Sequence, residues 1–241
     1  MNRFEIAKPI IACHVNKNLL NELEDYIKNE IPKLIGVSKK NINEKYSIRI
    51  SDKVGEEEIE SISNYSLSVF PDSTNRIEIG IRLFIEKYFT FSISFDSEYS
   101  KKFESIKISY ESNNAREIAL GIYEGINRII ESHRNNNEFF HPSLGIESFI
   151  YYLKFILLGF SIPMFLINRI LFLIPFLIFL GIIIYEFTGK VFKRYITFET
   201  NYNSKLQKLF KFYWSSLLSL VLLILGIIIA QNWNKLLNLL K

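Results

Sequence analysis

One cysteine, Cys13, is all that 241 residues contain, which excludes an internal disulfide and agrees with a reducing compartment. Histidine is nearly as scarce. Beside the Cys13-His14 pair there is no second cysteine, and only His133 and His141 stand elsewhere, too few ligands for a metal site. The pair therefore reads as part of a half-buried strand. No Ser-His-Asp order, glycine-rich phosphate cradle or His-Cys cluster appears. The sequence names no catalytic residue, metal or cofactor, and an enzyme is left only as a site assembled in three dimensions. The acidic run Glu56-Glu57-Glu58, after Asp52 and Gly55, lacks the alternating oxygen ligands of a cation loop and reads as a solvated turn or helix start.

Charge is missing from two long stretches. Between Phe149 and Phe187 only Lys154, Arg169 and Glu186 interrupt 39 residues, and Phe212 to Ala230 holds no charge at all. A helix needs about 20 apolar residues to cross a bilayer, so residues 141–241 are expected to be an all-α transmembrane region. A single helix over the first run would be ~58 Å long with an arginine at its centre, so Asn168 and Arg169 are expected at a hairpin turn. Spans are expected near 149–167, 170–187 and 212–230. In a rival arrangement the first segment lies in the interface.

Residues 1–146 carry 19 basic and 22 acidic side chains, and residues 147–241 carry 10 and 3. The overall +4 thus belongs to the membrane half and argues for no nucleic-acid partner. The loop 188–211 holds Lys190, Lys193, Arg194, Lys205, Lys208 and Lys211 against Glu199 alone. Such loops stay cytoplasmic and attract anionic phospholipid. In the last run, Ser215, Ser219, Gly226 and Ala230 fall on one helical stripe, a helix-packing surface that allows a homo-oligomer.

The segment MNRFEIAKPIIACHV is too short and interrupted for a secretory signal, which places residues 1–140 in the cytoplasm as a head domain. Asn16 or Asn18 starts a helical stripe of Leu19, Leu20, Leu23, Tyr26, Ile27, Ile31 and Leu34 that Gly36 ends. Period two follows in YSIRIS (46–51), RIEIGIRLF (76–84), YFTFSISF (88–95) and SIKISY (105–110). Helical period returns over 114–133, capped by Asn113 or Asn114, where Gly121 and Gly125 predict close approach to the sheet. The head is predicted to be α+β, an antiparallel sheet of about four strands with two flanking helices. Its polar face, with Arg76, Glu78, Arg82, Thr90, Ser92 and Ser94, fits a protein partner.

The segments EEIESI (57–62), RIEIGIRL (76–83), the head's last helix and RYITFE (194–199) resemble elements of prokaryotic membrane effectors of antiviral defence, the type associated with short prokaryotic Argonautes. The last element lacks the proline usual there. The resemblance implies an effector triggered through a partner on the head, binding anionic lipid and depolarising the plasma membrane as a multi-pass protein. The alternatives are a membrane-tethered adaptor that localises a partner without conductance, or a membrane-bound enzyme with its site on the head.

Overall fold

Alternating residues of the head fold into a six-stranded antiparallel sheet. The structure, a computed structural model, describes residues 2–84, 88–97, 105–167, 169–191, 194–201 and 205. In chain order the elements are β1 (Asn2–Lys8), β2 (Cys13–Val15), α1 (Lys17–Asn29), α2 (Ile31–Ile35), α3 (Lys39–Asn43), β3 (Tyr46–Ser51), β4 (Glu56–Ile59), β5 (Arg76–Leu83), β6 (Phe89–Asp96), β7 (Ile106–Ser112), α4 (Ala115–Ser132), α5 (Leu144–Ile167), α6 (Arg169–Val191) and β8 (Ile196–Phe198). The sheet order is β1-β7-β6-β5-β3-β4. The four strands legible from alternation are its centre, and β1 and β4 are edges that the expected count of four omits.

Strict alternation makes one face apolar and the other polar. Phe89, Phe91, Ile93 and Phe95 of β6 are buried, as are Ile77, Ile79, Ile81 and Leu83 of β5. Helices α1 and α4 cover this face: Leu19, Leu20, Leu23 and Ile27 from one, and Ala119, Ile122, Ile126 and Ile130 from the other, are fully buried. Asn16 caps α1, its side chain accepting from Leu19 N at 2.9 Å. The expected single helix breaks at Glu30 because Pro32 opens α2, and Leu34 is left exposed. Gly36 ends α2 in the left-handed region at φ 67°. Glu24, on the buried side of α1, accepts from Lys28 Nζ (2.6 Å), Ser61 Oγ (2.6 Å) and Ile62 N (2.8 Å), fixing α1 to the segment after β4.

After α4 the chain leaves the head through α5 and α6, two helices packed on each other, and returns as β8. Strand β8 pairs in parallel with β2, Ile196 opposite Cys13 and Phe198 opposite Val15. Tyr195, Ile196, Thr197, Phe198 and Thr200 are buried. The expected cytoplasmic basic loop 188–211 thus contains a strand built into the core of the head. By contact density the chain divides into residues 1–201 and 202–241; Lys205, helical and exposed, is all that is described of the second unit.

The predicted all-α transmembrane region does not hold. Among the described residues no helix is long and apolar enough to cross a membrane. Between Phe149 and Phe187, Lys154, Arg169 and Glu186 interrupt the apolar sequence, and Lys154 pairs with Glu186 at 2.7 Å. The multi-pass plasma-membrane placement, with spans near 149–167 and 170–187, falls with it. The run 212–230 lies outside the described residues.

The two glycines of α4 part company. A Cβ on Gly125 would lie 2.1 Å from Tyr26 Oη and 2.3 Å from its Cζ, whereas one on Gly121 would meet nothing within 4 Å. Close approach is therefore to α1, not to the sheet, and only Gly125 serves it. Gly121→Ala is expected to raise stability by ~0.5–1 kcal/mol through helix propensity. Gly125→Ala is expected to lower it by about 1 kcal/mol as the Tyr26 ring is displaced, and Tyr26→Ala in the same chain to relieve that clash. Urea denaturation midpoints of the four chains check this.

Candidate functional site

The scarce chemistry-bearing residues gather where β8 meets the head, and there they are structural. Cys13 lies in β2, fully buried, and burial pushes its thiol up to about 12, so no thiolate is present at neutral pH. His14 is half-buried, its Nδ1 2.9 Å from Thr197 Oγ1 of β8. The His14 backbone N–H donates to the carbonyl of His133, and Asn135 N donates to Ala12 O. Burial lowers the His14 pKa below its ordinary 6.5; Glu199 opposes this and His133 adds to it. His133 Nε2 is 3.3 Å from Glu22. Among the described residues no three His, Cys, Asp or Glu side chains could hold a metal ion.

The acidic run is likewise accounted for. Asp52 accepts from Val54 N (2.7 Å), Gly55 N (2.9 Å) and Ser73 Oγ (3.3 Å), closing the β3–β4 turn. The bonds from Gly55 and Val54 hold its carboxyl below the ordinary range. Glu56 and Glu58, in a strand rather than a helix start, each lie 3.7 Å from Arg49. The shallow cleft beside the turn, ≈ 430 Å³ and lined by Asp52, Lys53, Arg76 and Asp96 among others, is open and polar.

The structure brings together the six polar residues read as a partner surface. Register sets Arg76 opposite Asp96, Glu78 opposite Ser94 and Arg82 opposite Thr90, with Ser92 across from Gly80. Arg76 Nε donates to Ser94 Oγ (3.0 Å) and pairs with Glu78 (3.0 Å).

Of the expected lipid-binding set, Arg194 and Lys205 are exposed, and Lys190 sits near the end of α6. Lys193, Lys208 and Lys211 lie outside the described residues, as do the small residues Ser215, Ser219, Gly226 and Ala230. Arg169 is the first residue of α6, and Asn168, between the helices, also lies outside them. The backbone carbonyl of Arg194 accepts from Asn137 Nδ2 at 2.8 Å, anchoring the return of the chain to the head.

The α5–α6 hairpin, formed by the segments read as the first two spans, leaves a large apolar surface uncovered. Thirteen of the eighteen exposed large apolar side chains among the described residues stand on it, Phe149, Tyr152, Phe155, Phe160, Ile178 and Phe187 among them. Half-exposed side chains of that size amount to an apolar surface on the order of 1,000 Å². Monomeric proteins rarely expose so large a patch. An ion pair links the helices: Lys154 Nζ donates to both carboxylate oxygens of Glu186, at 2.8 and 2.7 Å. At the base, the Tyr185 hydroxyl donates to Phe139 O, and its ring packs against Phe139 and Phe140. The hairpin is thus gripped by the head at both ends.

Compared with known proteins, the chain matches no family model, no curated protein and no solved structure. Nothing in these comparisons supports an antiviral effector, phospholipid binding or membrane depolarisation, and the expected transmembrane helices find no counterpart among the described residues.

Two measurements follow from this geometry. Lys154→Met leaves a half-buried carboxylate unpaired and is expected to destabilise the hairpin by ~1–3 kcal/mol; adding Glu186→Leu is expected to recover most of the loss, read from amide exchange in α5. For His14, the unfolded chain binds more protons than the folded one as pH falls through 6.5. Stability from the neutral ring is therefore present above that value and lost toward acid. Between about pH 7.5 and about pH 5.5 the thermal midpoint of wild type is expected to drop, and that of His14→Gln to drop less.

Proposed function

We propose that this chain is a non-catalytic docking subunit, in which the α+β head is the rigid base and the α5–α6 hairpin seats in an apolar groove of a protein partner. The observation that carries the reading is the uncovered apolar surface of a hairpin fastened to a sealed core at both ends. A surface on the order of 1,000 Å² matches one side of a stable interface, ~800 Å² per partner. Anchoring from Phe139, Tyr185 and Asn137 orders the helices before binding, which lowers the entropic cost of docking. Of the alternatives raised by the sequence, this keeps the adaptor's role of localising a partner, without its membrane tether. The enzyme reading has little to stand on, because Cys13 is inert and Asp52 is consumed by a turn.

The test uses the full chain in its own cells, with a photo-crosslinking residue at Phe155 or Phe160 on the hairpin, or at Arg82 on the sheet. Crosslinks from both hairpin positions to one protein of fixed stoichiometry are the expected result, with Arg82 giving none to that protein. Phe149→Ser, Phe155→Ser and Phe160→Ser together are expected to weaken that complex at least 100-fold, since each buried aromatic anchor contributes ~1.5–3 kcal/mol. Hairpin crosslinks to lipid alone, or to no macromolecule, overturn the reading.

A further inference from the structure

The two edges of the large sheet differ in a way that selects a partner for one of them. Strand β4 carries Glu56, Glu57 and Glu58, so two copies joined there would set carboxylates against carboxylates in every register. Strand β1 is longer and alternates charge sign. Among the described residues no strand pairs with its outer side.

Hydrogen bonding fixes which backbone groups β1 turns outward. Glu111 N donates to Tyr88 O, so the odd residues of β7 turn to β6 and the even ones to β1. Phe4 lies opposite Tyr110 and Ile6 opposite Ile108. Hence Asn2, Phe4, Ile6 and Lys8 bond to β7, while Arg3, Glu5 and Ala7 present N–H and C=O at the edge.

Five antiparallel registers would set outward groups of two β1 strands together. Arg3 opposite its own copy and Glu5 opposite its own copy both oppose like charges, and Ala7 opposite its own copy or opposite Glu5 forms no opposite-charge pair. The fifth sets Arg3 against Glu5 of the other copy, twice, with Phe4 meeting Phe4 on the two-fold axis. Within one copy Arg3 pairs with its own Glu5, so this register gathers two Arg3–Glu5 pairs into one cluster of alternating charge. Arg3 Nε donates to Ser109 Oγ at 3.1 Å, Ser109 Oγ donates to Glu5 Oε1 at 3.2 Å, and the Arg3 guanidinium lies 4.4 Å over the Tyr88 ring. All stand on the open polar face, clear of α1 and α4.

We infer that β1 is a self-recognition edge, through which two copies of this chain join their sheets in the register that pairs Arg3 with Glu5. The inference is independent of what the hairpin binds. Charge chooses the register, and the outward backbone groups supply the ladder.

Non-hydrogen-bonded antiparallel partners bring their Cα atoms to about 4.5 Å, within disulfide reach. The full chain with Phe4→Cys is therefore expected to form a disulfide-linked dimer under mild oxidation. Ala7→Cys is expected to form none, because its two copies would be about 20 Å apart at 3.4 Å per residue. The buried Cys13 serves as its own control in the unsubstituted chain. With Phe4 intact, Arg3→Glu alone and Glu5→Arg alone are each expected to weaken self-association about tenfold by sedimentation. Mixing those two variants restores both opposite-charge pairs, and is expected to return association to the wild-type level. Equal crosslinking from Ala7→Cys overturns the proposal, as does failure of the mixed variants to associate while circular dichroism shows each folded.

Discussion

Strand β8 lies against β2 for three residues, far from it in sequence and parallel to it, and the arrangement of everything in between depends on that short contact. Glu199 N donates to Val15 O at 2.9 Å and Phe70 N to Glu199 O at 3.0 Å, so the returning segment is held from two sides. Phe198 packs edge-on against Phe70 at 6.4 Å, and Phe70 against Tyr65 at 5.7 Å. Each large side chain sealed there contributes ~1.5–3 kcal/mol. Without this contact α6 would end in an unattached tail. With it, the hairpin becomes an insertion whose departure and return are both fixed on the head.

The same contact explains why the residues with chemical potential are quiet. Burial that makes β8 a core strand also desolvates Cys13 and His14, which favours their neutral forms. Acidic groups are consumed locally. Glu24 ties α1 to the segment after β4, Asp52 closes a turn, and Glu56 and Glu58 face Arg49 across the edge of the sheet. The head spends its polar groups on shape, which suits a platform more than a catalyst.

Against that sealed platform the hairpin stands out physically. A helix apolar all round is ordinarily buried on all sides, yet among the described residues the two helices pack on each other and on the base of the head. The Lys154–Glu186 pair holds the two helices in one alignment, at a half-buried position where an unpaired charge would be costly. Pre-alignment of an uncovered apolar surface is what separates a docking element from a segment that has merely failed to fold.

Much of the head was written into local pattern. Alternation located β3, β5, β6 and β7, the stripe from Leu19 to Ile31 located α1, and the polar face from Arg76 to Ser94 formed as read. These are features of period, which a chain carries residue by residue. Strand β1 was missed because an edge strand with exposed Arg3, Glu5 and Lys8 shows only two apolar alternations. Strand β8 was missed because RYITFE sits in a basic stretch, and nothing local says that β2 awaits it. The apolar runs were visible in full, and so was the break at Asn168-Arg169, but hydropathy cannot say what solvent a helix will meet. That Lys154 finds Glu186, that Ile196 finds Cys13, and that the hairpin is therefore clamped to a head, depends on contacts distant in sequence, whose energies appear only once the chain has closed the loops between them.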